Sequence, residues 1–69
     1  MKSVYGDKHP STATSYNNLG ELYSTLGQHD QALEFHSKSL EIRKSIYDDK
    51  HPETATSYNN LGLIYKTLG

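Results

Sequence analysis

The sequence contains no cysteine, only two prolines, and no apolar run near the roughly 18 residues that a membrane-spanning helix needs. Without cysteine no disulfide framework staples the fold, and a cytoplasmic setting is expected. Charge of one sign is lacking too: seven basic residues stand against eight acidic ones, for a formal net charge of −1. A dedicated surface for nucleic acid or membrane is therefore not expected, because both call for concentrated basic charge. The opening Met1-Lys2-Ser3-Val4-Tyr5 lacks the apolar core of a signal peptide. The chain has 69 residues, 33% of them hydrophobic. A chain of this size buries only about 60% of its unfolded surface, so its core is marginal unless it is stacked on something.

What the sequence does have is a repeat. Residues 2–27 recur at 44–69 with 20 of 26 positions identical, a period of 42 residues read from His9-Pro10 to His51-Pro52. Tandem units of about 20 to 50 residues mark solenoids, in which each unit buries its apolar face against its neighbours. The two prolines are helix starts, because the first helical turn has no partner for the N–H that proline lacks. From there Tyr16, Leu19, Gly20, Tyr23 and Leu26 recur at offsets of three and four and stop at Gly27, a residue suited to an αL cap. The copy reads Tyr58, Leu61, Gly62, Tyr65, Leu68, Gly69.

Between the copies, Ala32, Leu33, Phe35, His36, Ser39, Leu40, Ile42, Ile46 and Tyr47 form a broader stripe that begins near Asp30, a good N-terminal charge or cap. Glu34 and Lys38 add an i,i+4 pair on its outer face. The pattern predicts helix A over 10–26, helix B over 30–47 and a second helix A over 52–68, with 1–5 as the end of a preceding helix B. At the exit of helix B, Asp48 stands where the first copy has Gly6, and aspartate tolerates αL at moderate cost.

The series Tyr16, Leu19-Gly20, Tyr23, Gly27, Ala32 and Ser39-Leu40 resembles the tetratricopeptide repeat. The 42-residue period, the His-Pro start and the Ala-Thr-Ser-Tyr-Asn-Asn-Leu-Gly run are similar to the longer variety found in kinesin light chains. The resemblance covers essentially the whole chain and implies an all-α, right-handed α-solenoid of about one and a half helix-turn-helix repeats. His36 departs from the aromatic residue usual at its place, Ser39 from alanine, and Lys44 from the proline that ends a 34-residue unit. Small residues at Gly20, Ala32 and Ser39 let helices A and B approach closely.

The family likeness implies a protein-interaction module whose A helices line a concave face that grips peptides or helices. Mapped onto this sequence, that face carries Asn17, Asn18, Glu21, Ser24 and Thr25, flanked by Thr14. Its second copy carries Asn59, Asn60, Leu63, Lys66 and Thr67, flanked by Thr56. An asparagine amide both donates and accepts, so asparagines one repeat apart suit the backbone of an extended ligand. The same amides suit hydrogen bonds between repeats that fix helix register. Glu21 becomes Leu63 and Ser24 becomes Lys66 between copies, the variation expected of a groove that sets specificity or of exposed positions that drift freely.

No enzyme, metal or cofactor is expected. His9, His29, His36 and His51 show no i,i+4 or short-loop metal spacing. His36 reads as a core residue in an aromatic slot, and His9 and His51 as loop and cap residues. The tyrosines sit on packing stripes, and no nucleophile-base pair, phosphate loop or paired carboxylate accompanies them. The second helix A lies before any second helix B, so Tyr58, Leu61, Tyr65 and Leu68 are expected to be bare. That stripe makes self-association through repeat ends the alternative function.

Overall fold

A computed structural model describes residues 9–68 as three helices, with no strand among them. Helix α1 spans Pro10–Thr25, α2 His29–Ile46 and α3 Pro52–Leu68. The stub expected at 1–5, and the final Gly69, lie outside the described residues. Short connections fold α1 back on α2 and α3 back on α2, so that α2 is the shared layer.

The helix starts follow from the two His-Pro pairs. His9 is extended, Pro10 takes the first helical position, and the His9 Nδ1 accepts a hydrogen bond from the Ser11 N–H at 3.0 Å. One repeat later the His51 Nδ1 accepts from the Glu53 N–H at 3.1 Å. Each imidazole thus satisfies one of the orphan donors of a helix N-terminus. Helix α1 ends on Gly27 at φ +82°. The Gln28 N–H donates to the Tyr23 carbonyl (2.8 Å) and the Gly27 N–H to the Ser24 carbonyl (3.0 Å), the double closure of a Schellman cap.

Helix α2 begins one residue earlier than the pattern predicts, with Gln28 as a cap that makes no side-chain bond and Asp30 in the first turn. Asp30 therefore acts through its charge at the positive end of the helix, with Arg43 and Lys44 complementing the other end. The exit corrects the expectation of an αL aspartate. Among the described residues Gly27 alone has positive φ, and α2 leaves through an extended Tyr47 (φ −113°, ψ 164°). The Asp48 carboxylate then accepts from the Lys50 N–H at 3.0 Å. The Tyr47 ring stacks on His51 with centroids 3.8 Å apart and planes 8° from parallel. A side-chain turn and a ring stack thus do the work expected of a strained backbone.

The α1–α2 contact is built from small residues and rings. Ala13, Gly20, Ala32, His36 and Ser39 are buried, and the Ser39 hydroxyl donates to the Ala13 carbonyl at 2.9 Å. Phe35 stacks on both Tyr16 (5.9 Å) and Tyr23 (5.4 Å). A Cβ on Gly20 would lie 2.6 Å from the His36 ring, so glycine is what allows this approach. Glu34 and Lys38 pair at 3.7 Å on the outer face.

Helix α3 packs on α2, and Thr54, Ser57 and Ile64 are its buried residues. The stripe expected to run continuously from Tyr58 through Leu61 to Leu68 is in fact two stripes. Leu61 is half-buried and shares its register with Thr54, Ser57 and Ile64. Tyr58, Tyr65 and Leu68 are 45%, 61% and 50% exposed. Offsets of three and four merge the two because a helix placed between two neighbours is apolar on both flanks.

His36 is 1% exposed, and its Nδ1 has no hydrogen-bond partner among the described residues. Burial lowers its pKa from the ordinary 6.5, with Glu21 opposing and Arg43 adding to the shift. The unfolded chain therefore takes up this proton at a higher pH than the folded one. The stability contributed by the neutral ring is complete above pH 6.5 and falls as pH drops through 6.5 toward the lowered folded value. Urea unfolding at about pH 7.5 and about pH 5 should show a larger loss for the native chain than for His36→Phe. Equal losses would mean that another histidine carries the effect.

Candidate protein-interaction face

The candidate face is made by α1 and α3, which a hydrogen bond ties together. The Asn60 amide donates to the Asn17 side-chain oxygen at 2.9 Å, in a half-buried setting. Of each Asn-Asn pair one member is thereby engaged between repeats. The other members, Asn18 and Asn59, are exposed. The inter-repeat bond thus involves Asn17 and Asn60 and not Asn18 and Asn59, a division that two identical copies cannot reveal in sequence.

Around this bond, Glu21, Thr25, Leu63, Lys66 and Thr67 are exposed and Ser24 is half-buried. The Thr25 and Thr67 hydroxyls donate to the carbonyls of Glu21 and Leu63, each at 3.0 Å, so they are already occupied within their own helices. Thr56 is likewise bonded to the Pro52 carbonyl at 2.9 Å. The groups left to meet a ligand are the two outer amides, the Glu21 carboxylate, the Leu63 side chain and the Lys66 ammonium. This set is mixed: two neutral amides with donors and acceptors, one charge of each sign and one apolar contact.

What holds the second A helix in place is a residue that sequence reasoning missed. Arg43 is 5% exposed. Its guanidinium donates to the Ser57 hydroxyl at 2.8 Å and to the Glu53 carbonyl at 3.3 Å, and lies 3.2 Å from the Glu53 carboxylate. One planar fork therefore fastens α2 to the first turn and a half of α3. The available signal was an arginine among the apolar positions Leu40, Ile42 and Ile46 of the helix B stripe. Arg43 also floors a cleft of about 260 Å³ lined by Pro10, Ser11, Thr14, Tyr47 and Glu53. Its charge is spent on Glu53, which leaves no free cation there for an anionic ligand.

The described residues contain no group of three or more His, Cys, Asp or Glu side chains that could hold a metal ion. None of the described helices is long and apolar enough to cross a membrane.

The family model of the tetratricopeptide repeat matches residues 1–45 and again 18–69, so the two matches together span the chain. No curated protein and no solved structure shows a significant match. The helix pair followed by a second copy of its first helix, the small-residue contact at Gly20, Ala32 and Ser39 and the two family-model matches agree, and the chain belongs to the tetratricopeptide repeat family, whose repeats generally mediate protein–protein interaction.

Proposed function

We propose that this chain is a protein-binding scaffold module that holds an extended peptide or a helix along the joined face of α1 and α3. The observation that carries the reading is the Asn60–Asn17 bond. It joins the two A helices and leaves Asn18 and Asn59 as exposed amides, one on each helix. Amides so placed can bond successive peptide groups of an extended ligand, whereas Glu21, Leu63 and Lys66 supply the side-chain preference.

Titration of a panel of labelled peptides tests this. Saturable binding in the micromolar range is expected for a subset, and Asn18→Ala combined with Asn59→Ala should weaken it by about tenfold or more, two lost hydrogen bonds at about 1 kcal/mol each. Helicity should be unchanged, because neither side-chain amide makes a hydrogen bond among the described residues. Undiminished affinity in that double variant would place the ligand elsewhere.

Self-association is a second reading, favoured by the exposure of Tyr58, Tyr65 and Leu68 together with that of Leu19 (37%) and Leu22 (53%) on the opposite flank of α1. A homo-oligomer formed through these bare flanks would show as a mass that rises with concentration in sedimentation equilibrium. A monomer at every concentration removes this reading.

A further inference from the structure

Glu53, the second residue of α3, is held from three sides. Its N–H donates to the His51 Nδ1 at 3.1 Å, its carbonyl accepts from the Arg43 guanidinium at 3.3 Å, and its carboxylate lies 3.2 Å from the same guanidinium. Arg43 is the clasp between α2 and α3, so His51 caps the residue on which that clasp closes. Ser11, the matching residue of α1, receives the same cap from His9 but meets no such clasp among the described residues. We infer that His51 is a pH-sensitive latch on α3, closed while its imidazole is neutral and opened by mild acid.

An imidazole accepts a hydrogen bond only through an unprotonated nitrogen, and protonation turns that nitrogen into a second donor. The imidazolium then sets donor against donor at the Glu53 N–H and places a positive charge at the positive end of the α3 dipole. Histidine is the side chain that changes charge between about pH 5 and 8. The cap therefore contributes at neutral pH, and its contribution is lost as pH falls through that range. His51 is half-buried, so water reaches it. The Tyr47 ring stacks on it at 3.8 Å, and an aromatic face holds an imidazolium as well as an imidazole, so the ring stays in place while its hydrogen bond fails. The titratable and charged groups around it are Arg43 and Tyr47 at the end of α2, Asp48, Asp49 and Lys50 in the turn, and Glu53 at the start of α3. Helix α1 brings only the uncharged Pro10, Ser11 and Thr14 to the neighbouring cleft. Glu53 is already paired with Arg43, and the Asp48 carboxylate accepts from the Lys50 N–H, so neither stands ready to take the histidine proton's charge. His9 gives α1 the same titrating cap, but α1 is also held on α2 by the stacking of Phe35 with Tyr16 and Tyr23 and by the Ser39–Ala13 bond. Acid should thus fray only the first turn of α1 and loosen α3 as a whole. The face shared by α1 and α3 is assembled at neutral pH and parted by acid, whether or not it holds a peptide.

Amide hydrogen exchange of the full chain at about pH 7.5 and about pH 5, expressed as protection relative to the intrinsic rate at each pH, tests the latch. In the native chain protection across α3 should fall about fivefold or more on acidification, the factor that corresponds to one lost N-cap. In His51→Asn, which keeps a good accepting cap and cannot titrate, the fall should be smaller by about that factor. His51→Ala, which has no acceptor, should already show the reduced protection at about pH 7.5 and lose no more on acidification than His51→Asn does. Protonation of His36 lowers protection in all three chains alike, so the comparison isolates His51. The inference is overturned if His51→Asn loses as much α3 protection as the native chain, or if His51→Ala is as well protected as His51→Asn at the higher pH.

Discussion

Replacing Arg43 by leucine is expected to release α3 from α2 while leaving the α1–α2 hairpin folded. The guanidinium is nearly enclosed and makes three contacts across the interface, two of them hydrogen bonds from a charged donor. Leucine fills much of the volume but leaves the fully buried Ser57 hydroxyl without its donor. A buried polar group left unsatisfied costs about 1 to 3 kcal/mol, and hydrogen bonds from charged groups are among the stronger ones lost. The Coulombic part of the Glu53 pair adds little, because that carboxylate is 52% exposed and water replaces its partner. Glu53→Gln should accordingly be milder than Arg43→Leu, since the Ser57 bond and the carbonyl bond survive it. Hydrogen exchange resolves the effect by helix: amides of α3 should lose protection in Arg43→Leu, and amides of α1 and α2 should keep most of theirs. Uniform loss across the three helices would show that Arg43 supports the whole fold.

Much of this architecture is legible in the sequence because it rests on residues with strong backbone preferences. The two prolines start α1 and α3, Gly27 ends α1 in the αL conformation, and the 42-residue period fixes that the third helix repeats the first. The tetratricopeptide assignment follows from the same residues and holds. Less legible is whatever depends on which neighbour is present. Leu19 and Leu61 occupy the same repeat position, yet Leu19 is exposed and Leu61 half-buried, because α2 covers that flank of α3 alone. The asparagine pairs look alike until the bond from Asn60 to Asn17 separates an inner amide from an outer one. Arg43 escapes notice because an arginine beside Glu41 and Lys44 reads as a side chain reaching out to water, and only the fold reveals Ser57 and Glu53 opposite it. Tyr47 and Asp48 show the same limit, since a ring stack across four residues is invisible to a rule about glycine at helix ends.

The buried set also explains why such contacts matter here. Among the described residues the buried hydrophobic side chains are Ala13, Ala32, Ile42 and Ile64, while His36, Ser39, Arg43, Thr54 and Ser57 are buried polar or charged ones. Small apolar groups contribute little transfer free energy, so a large share of specificity rests on the hydrogen bonds of Ser39 and of Arg43 with Ser57 and on close fit. Surface asparagines that join one repeat to the next fit the same economy, as they define helix spacing at positions where apolar burial is thin.

The central structural claim is that identical residues in the two copies of helix A live in opposite environments, covered in α1 and open in α3. Equilibrium urea unfolding of Gly20→Ala and Gly62→Ala, measured side by side at low concentration, tests it most directly. Either change favours helix by about 0.5 to 1 kcal/mol, because alanine restricts the unfolded chain and glycine does not. At Gly62 the new methyl meets open space, so that gain should appear undiminished. At Gly20 the methyl would sit 2.6 Å from the His36 ring carbon and nitrogen, and overpacking of this kind costs about 1 to 3 kcal/mol. The ring cannot swing away cheaply, because it is enclosed on all sides at 1% exposure. Gly62→Ala should therefore stabilise the chain and Gly20→Ala destabilise it, with transition midpoints displaced in opposite directions. Midpoints that move the same way in both variants would contradict the assignment of a covered and an open face.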